Sequence, residues 1–294
     1  MSRFGDVLTA MVTPFDDDLA VDVDAAVDLA RWLVDHGSDG LVVTGTTGEA
    51  PTLDDDEKFE LWRAVSEAVT VPVVAGAGTN DTRHSIEVTT RAAELGVAGV
   101  LVVVPYYNRP SQAGIAAHVR AVAEVARSIP VMIYDIPIRT GRKASTETLL
   151  DLARTVPNVL AVKDAAGNPA ESARLIAAAP DGFEVYSGDD SMTLPLLAVG
   201  AVGVVGVATH WAGSLFGEMV TAFGKGDVVA ARNVNERLLD SYAFETSDEA
   251  PNPVPAKAVL RTLGLRVGHC RLPMGPEPAG LEARARDLLA SLST

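Results

Sequence analysis

The chain has 294 residues, 48% hydrophobic and 21% charged, a composition that supports a sizeable globular core. Its 39 acidic and 24 basic residues give a formal net charge of −15, which argues against nucleic acid and anionic membranes as partners. No apolar stretch approaches the ~20 residues that span a bilayer, and a single cysteine, Cys270, excludes an internal disulfide.

The opening MSRFGDVLTA lacks the apolar core and cleavage pattern of a signal peptide, so a reducing cytoplasm is the expected location. Cys270 reads as a buried, inert thiol rather than a nucleophile.

Short apolar, strand-like runs begin near Val7, Leu41, Val71, Val100, Val131, Leu160, Glu184 and Gly203. The first leads into TAMVTPFDDD, without the G-x-G-x-x-G turn that a doubly wound sheet places after its first strand. Asp16-Asp17-Asp18 within it reads as solvated surface. The amphipathic stretch VDAAVDLARWLVDHG follows and predicts a helix closing on Gly37. The second strand ends in TGTTGE, Thr44 to Glu49, which lacks the Gly-Lys-Ser/Thr ending of a phosphate loop. Asp54-Asp55-Asp56-Glu57, ahead of KFELWRAV, reads as an acidic first turn complementing a helix dipole. After the third strand, TRHSIEVTTRAAELG predicts a helix closing on Gly96. The fourth strand ends in PYYNRP, the fifth in YDIPIRTG, the sixth in Lys163-Asp164 and the seventh in YSGDD.

Strands alternating with helices in this way predict right-handed βαβ units around a parallel sheet. Eight such units predict an α/β fold, the (β/α)8 TIM barrel. We expect the barrel to occupy residues 1–225 and a small C-terminal helical extension to occupy residues 226–294, because the tail exceeds what one closing helix needs.

The active site of such a barrel lies at the C-terminal ends of its strands, which is where these polar motifs fall. Val159-Leu160-Ala161-Val162 suits a strand covered on both faces, and it ends on Lys163. A lysine there is either a solvated strand-end side chain or, in a dry barrel mouth, a Schiff-base nucleophile. The second role needs its ordinary pKa of ~10.4 to fall by about three units, roughly 4 kcal/mol, which burial can supply. Asp164 would oppose that shift from inside, so we expect it to face away. Tyr134 and Tyr107 are either space-fillers with hydroxyls at a wet edge or, linked by a hydroxyl such as that of Thr46, a proton shuttle. Arg139 is either an exposed loop arginine or a two-pronged grip on a carboxylate. The five histidines, His36, His84, His118, His210 and His269, show no paired metal-ligand spacing, so no metal and no cofactor is expected.

GTTGE, PYYNRPSQAG, YDIPIRTG, VKDAAGN, YSGDD and PNPVPAK, in this order between LTAMVTPF and RLPMGP, resemble the dihydrodipicolinate synthase family over close to the whole chain. GTTGE with a downstream strand-end lysine marks the wider pyruvate-lyase superfamily, and the pairing of YDIPIRTG with PYYNRP is more specific to the synthases. The resemblance implies a class I aldol-type condensation in the diaminopimelate route to lysine. Lys163 would form an imine with pyruvate, and the derived enamine would attack L-aspartate 4-semialdehyde to give 4-hydroxy-tetrahydrodipicolinate. It implies Tyr134, Thr46 and Tyr107 as the proton relay, with Tyr107 arriving from a neighbouring subunit. It implies Arg139 on the semialdehyde carboxylate, Thr47 on the pyruvate carboxylate, and backbone around Gly188 and Val205 lining the pocket. The implied partners are these small molecules and further copies of the chain, as a dimer or as a tetramer built as a dimer of dimers. The superfamily's rival chemistry is a Schiff-base aldolase or lyase for 2-keto-3-deoxy sugar acids or N-acetylneuraminate, which would share Lys163 and Tyr134 but not need Arg139. From another class, an idle pyruvate- or amino-acid-binding regulator would keep the scaffold without the reaction.

Many bacterial members of the family bind lysine as a feedback inhibitor near the positions of Ala50, Pro51, Asp55, Lys58, Asn80, His84 and Tyr106. Asn80 and Tyr106 match the lysine-sensitive pattern. His84 stands where a glutamate usually pairs with the inhibitor's amino group, and Asp55 and Lys58 replace the usual histidines. Losing a buried charge partner for an ammonium weakens binding severely, so lysine is expected to inhibit weakly or not at all.

Overall fold

The computed structural model describes residues 2–127 and 129–292. Its strands are β1 Val7–Ala10, β2 Gly40–Val43, β3 Val73–Gly76, β4 Gly99–Val103, β5 Val131–Asp135, β6 Val159–Asp164, β7 Glu184–Ser187 and β8 Gly203–Gly206. All eight are parallel and close in sequence order, with β1 pairing both β2 and β8. The expected strand starts hold to within a residue except the third. Val71 is followed by Pro72, which has no N–H to give a ladder; its carbonyl accepts from Leu41 and the strand begins at Val73.

The helices α1 Val23–Asp35, α2 Asp55–Ala68, α3 Thr82–Glu94 and α4 Gln112–Ala126 follow the first four strands in turn. The one-turn α5 Pro137–Thr140 and α6 Thr146–Thr155 follow β5, and α7 Pro169–Ala178, α8 Thr193–Leu197 and α9 Thr209–Gly224 follow β6, β7 and β8. Beyond them α10 Val228–Phe244, α11 Val254–Thr262 and α12 Leu281–Leu292 form the C-terminal helical extension. Local chemistry sets several boundaries. The Asp54 side chain accepts from the Glu57 N–H while the Glu57 side chain accepts from Asp54, a capping box that explains the acid cluster before α2. Gly37 and Gly96, with φ of +104° and +73°, end α1 and α3 in the left-handed region that glycine tolerates. Asp16, Asp17 and Asp18 are exposed.

The strands are mostly apolar on both faces because both are covered. One face fills the lumen, with Phe4, Leu8, Val42, Val74, Leu101, Met132, Ala161, Tyr186 and Val205 in one cluster. The other meets the helix ring through residues such as Leu41, Val43, Ile133 and Val162. The period-two alternation of a strand therefore decides which β6 side chains enter the barrel: Ala161 and Lys163, not Val162 or Asp164. In the extension, Ala231, Val234 and Leu238 of α10 pack on Phe216 and Met219 of α9. Residues Val254 to Leu260 of α11 are all buried, as expected of a helix enclosed on every side.

Among the described residues no helix is long and apolar enough to cross a membrane. Burial pushes the half-buried Cys270 thiol up to about 12, so it stays protonated and unreactive.

Gly203 opens β8 where the chain passes hard against Asp6, whose carbonyl accepts from the Val204 N–H. A methyl group at Gly203 would overlap that carbonyl oxygen. Gly203→Ala is expected to destabilise the barrel by about 1–3 kcal/mol, read as a lower urea midpoint at unchanged slope.

Candidate active site

Strand register brings the chemistry together. Tyr134 on β5 is the register partner of Lys163 on β6, which in turn pairs with Tyr186 on β7. Lys163 Nζ lies 4.5 Å from the centroid of the Tyr134 ring, and both residues are 5% exposed. Burial lowers the Lys163 pKa to about 8; Asp190 and Glu245 work against that fall and Arg139 adds to it. Lys163 is therefore not a solvated strand-end lysine. Its stem is covered by the turn after β7, where a Cβ on Gly188 would stand 2.8 Å from Lys163 Cγ. Only a glycine lets that turn close over the amine, and the Gly188 N–H donates to the Asp164 carbonyl at 2.8 Å.

The neighbouring carboxylates are kept out of the lumen. Asp164 faces away, as expected, accepting from Ser172 Oγ at 2.6 Å and from the Ala166 N–H at 3.0 Å. Asp135, one residue past Tyr134, points outward as well and accepts from the Ala144 N–H at 3.1 Å. Burial pushes the Asp135 carboxyl up to about 6.

Two acids with no role assigned in the sequence stand behind the lysine. Asp190 is 1% exposed and accepts from the Val207 N–H at 2.8 Å. It also shares a hydrogen bond with Glu245, at the C-terminal end of α10. Burial raises both carboxyls; the Asp190 charge and the shared bond raise Glu245 further, while that same bond works against the rise at Asp190. Among the described residues no other group donates to Asp190 Oδ1 or Glu245 Oε2, both buried. Two carboxyl groups so placed hold one proton between them. Asp190 sits inside YSGDD and was in view; Glu245 lies in a helix end with no local signal.

Burial raises the Tyr134 phenol to about 12, while Arg139 and a hydrogen bond with Thr46 work against that rise. It is a neutral proton donor at physiological pH. Arg139 rides on the one-turn α5 and is exposed at the mouth. With Tyr134 and Thr46 it lines a cleft of about 710 Å³. Thr47 is buried, and its Oγ1 accepts from Asn252 Nδ2 at 3.0 Å. Val205 is fully buried in the lumen on β8. Tyr107 is the outlier: it is 89% exposed, in the left-handed region at φ 69°, and it does not join Tyr134 and Thr46 within the chain. Thr44 and Glu49 share that unusual backbone, so the loops after β2 and β4 both carry strain at the mouth.

The same cleft continues to Ala50, Pro51, Asp55, Lys58, Asn80, His84 and Tyr106. There the Asp55 carboxylate is engaged by His84 Nε2 at 2.8 Å and by Lys58 Nζ at 3.1 Å. Burial works to raise the Asp55 carboxyl, and these two bonds outweigh it, holding it below its ordinary range. Of the histidines, His210 accepts from the Val12 N–H at 3.1 Å, and burial lowers its pKa to about 4, so it is a neutral structural acceptor. Among the described residues no three His, Cys, Asp or Glu side chains are grouped to hold a metal ion.

A buried amine with a depressed pKa, a neutral phenol over it and a guanidinium at the mouth suit imine chemistry on a carboxylated carbonyl compound. The model of the Dihydrodipicolinate synthetase family matches residues 3–290. The chain belongs to that family. It is 45% identical over 295 residues to the 4-hydroxy-tetrahydrodipicolinate synthase of a Cyanothece species, covering 100% of this chain and 99% of that one. Among solved structures it is similar to the dihydrodipicolinate synthase of Cyanidioschyzon merolae with lysine bound, at TM-score 0.96 and 43% identity over 100% of this chain and 99% of that one. It is also similar to the chloride-inhibited dihydrodipicolinate synthase of Acinetobacter baumannii complexed with pyruvate, at TM-score 0.92 and 32% identity over 99% of each chain.

With its pKa near 8, Lys163 is protonated below that pH and a free amine above it. Borohydride trapping of pyruvate, at a fixed subsaturating concentration, is expected to rise through about pH 8 and level off. The Asp190 charge raises the Lys163 pKa, so Asp190→Asn is expected to move this limb to lower pH, measured as trapping rate against pH.

Proposed function

We infer that this chain is a 4-hydroxy-tetrahydrodipicolinate synthase, a lyase condensing pyruvate with L-aspartate 4-semialdehyde in the diaminopimelate route to lysine. The observation that carries the reading is the amine of Lys163, enclosed in the lumen 4.5 Å from the Tyr134 ring. Near-full-length similarity to synthases supports it, and the sugar-acid and sialic-acid aldolase alternative is not favoured.

The Lys163 amine attacks the keto carbon of pyruvate, and water leaves to give the imine. Loss of a methyl proton yields the enamine, whose carbon attacks the aldehyde carbon of the second substrate. The new alkoxide takes a proton through Tyr134, Thr46 and Tyr107. The substrate's own amine then attacks the imine carbon, closes the ring and releases Lys163. A phenol with a pKa near 12 serves as the donor in this relay, and the Arg139 charge steadies the phenolate formed in passing. The single negative charge on the Asp190–Glu245 pair faces the iminium cation. Arg139 meets the semialdehyde carboxylate at the mouth, Thr47 meets that of pyruvate, and backbone at Gly188 and Val205 lines the pocket.

The exposure of Tyr107 (89%) and of Ile138 beside Arg139 (90%) supports docking of a second copy over the mouth, with Tyr107 acting in its partner's relay. The working assembly is a dimer or a tetramer built as a dimer of dimers, in the cytoplasm. Residues 1–225 form the catalytic barrel in this reading, and residues 226–294 form the extension that braces it.

Lysine is a poor ligand for the adjoining cleft. An incoming ammonium meets Lys58 and His84, and the Asp55 carboxylate is already engaged by both. Half-inhibition at sub-millimolar lysine in a steady-state assay would contradict this; little or no inhibition is the expected result.

The purified protein is expected to consume pyruvate only when L-aspartate 4-semialdehyde is present. Lys163→Ala should abolish consumption, and Tyr134→Phe should lower kcat by about 10²–10³-fold. Pyruvate release from 2-keto-3-deoxy sugar acids, without semialdehyde-dependent consumption, would overturn the assignment.

A further inference from the structure

PNPVPAK, residues 251 to 257, stands more than a hundred residues beyond Tyr134 and Arg139, and no catalytic step uses it. The fold returns it to the loop after β2. Asn252 Nδ2 donates to Thr47 Oγ1 at 3.0 Å, with the two residues 7% and 3% exposed. Five residues on, Lys257 Nζ meets Glu49 Oε1 at 2.8 Å, and Glu49 Oε2 accepts from the Arg271 N–H at 2.9 Å. Lys257 is itself fixed, donating to the His269 carbonyl at 2.9 Å and lying 4.1 Å from the centroid of the Phe15 ring. The loop carrying Thr46 and Thr47 is thus held at two points by the C-terminal extension.

The direction of the Asn252–Thr47 bond matters. A hydroxyl has one hydrogen to give and lone pairs to receive. Here a lone pair of Thr47 Oγ1 is filled by the amide N–H, and the Thr47 hydroxyl donates to no acceptor among the described residues. Asn252 Oδ1 is also buried without a partner, so the amide does not compete for that hydrogen. A buried donor left unmade is costly in the empty protein and is satisfied when an acceptor arrives. The β-branched threonine is stiff at χ1, so its oxygen stays where the bond holds it. A carboxylate oxygen is an acceptor only and meets that requirement.

We propose that Asn252, on the C-terminal extension, is a positioning residue for the carboxylate subsite: by donating to Thr47 Oγ1 it leaves the Thr47 hydroxyl hydrogen free and aimed at the carboxylate of the 2-keto acid. The proposal rests on the assignment of Thr47 to the pyruvate carboxylate. Asn252 touches no reacting atom, so its loss shows in binding rather than in the chemical step.

The test is a double-mutant cycle on the full-length enzyme, with Asn252→Ala, Thr47→Val and the double variant, reading KM for pyruvate and kcat separately. Asn252→Ala is expected to raise KM by about tenfold with kcat changed far less. The double variant is expected to be no worse than Thr47→Val alone, because Asn252 acts only through that hydroxyl. An unchanged KM in Asn252→Ala, or losses that multiply in the double variant, would overturn the proposal. Should Asn252→Ala not fold, the near-isosteric Asn252→Asp replaces it. Its carboxylate takes the Thr47 hydroxyl hydrogen as acceptor, so KM rises if the proposal holds and stays at the wild-type value if it does not. Failure of the parent reading is separately visible. A wild type that traps pyruvate with borohydride but shows no semialdehyde-dependent turnover sinks the synthase assignment. The pyruvate concentration for half-maximal trapping then replaces KM in the same cycle. A wild type that traps nothing sinks both.

Discussion

Desolvation of one ammonium group governs this structure. Taking Lys163 out of water lowers its pKa from an ordinary 10.5 to about 8, a shift on the order of 3 kcal/mol set against the stability of the barrel. Much of the surrounding arrangement reads as a response to that requirement. Gly188 lets a turn lie on the lysine stem, while Asp135 and Asp164 are bonded on the outer face of the sheet. A full pair of carboxylates inside would restore the ammonium. Asp190 and Glu245 stop short of that because burial raises both carboxyls and the Asp190 charge holds the proton on Glu245. The amine is left poised rather than neutralised or paired.

Lys257 supplies the contrast within the same chain. It is fully buried, and burial also lowers its pKa, but Glu49 faces it at 2.8 Å. An ion pair of this kind is a fastening: removing either partner strands the other charge in the interior, which makes the contact hard to break and sets the geometry of what it joins. It joins α11 to the TGTTGE loop. The difference between a reagent and a rivet is therefore the presence of one carboxylate within hydrogen-bond reach, and the barrel uses both states of the same side chain on one face. The C-terminal extension is part of the site's framework for this reason. Residues Val254 to Leu260 of α11 are buried between the barrel core and α12, and the extension in turn holds the loop bearing the Thr46 and Thr47 hydroxyls.

The features legible in the sequence are those written in local pattern. Period-two alternation places Lys163 and Ala161 on the lumen side of β6, and a helix-start signature at Asp54 and Glu57 gives the capping box before α2. Pro72 displaces the third strand by two residues from its expected start because the apolar pattern counts side chains while the ladder needs N–H donors. Glu245, Asn252 and Lys257 carry no such mark. Their partners Asp190, Thr47 and Glu49 lie far away along the chain, and only closure of the barrel and docking of the extension make them neighbours. Helical periodicity is blind here too: Lys257 sits on a helix buried on every side, where no polar face tells a charge from a core position.

Charge explains the shape of the mouth. A protein with net charge −15 repels anionic substrates at long range. In the proposed reaction two carboxylates must nonetheless reach an amine that attacks only in its uncharged form, so positive charge elsewhere at the mouth is useful. Arg139 provides it at the entrance, exposed on a single helical turn and free to meet a carboxylate. Its charge also reaches inward, depressing both the Tyr134 phenol and the Lys163 ammonium. One guanidinium thus favours both the free amine of Lys163 and the phenolate of Tyr134, which is what the proposed mechanism asks of it. Lys58 and His84 extend the basic character along the cleft, but each is bound to Asp55 and so contributes little net field. The two ends of the cleft therefore differ in the quantity that matters: among the described residues Arg139 forms no ion pair with a carboxylate, and it is at that end that an anion finds a charge to meet.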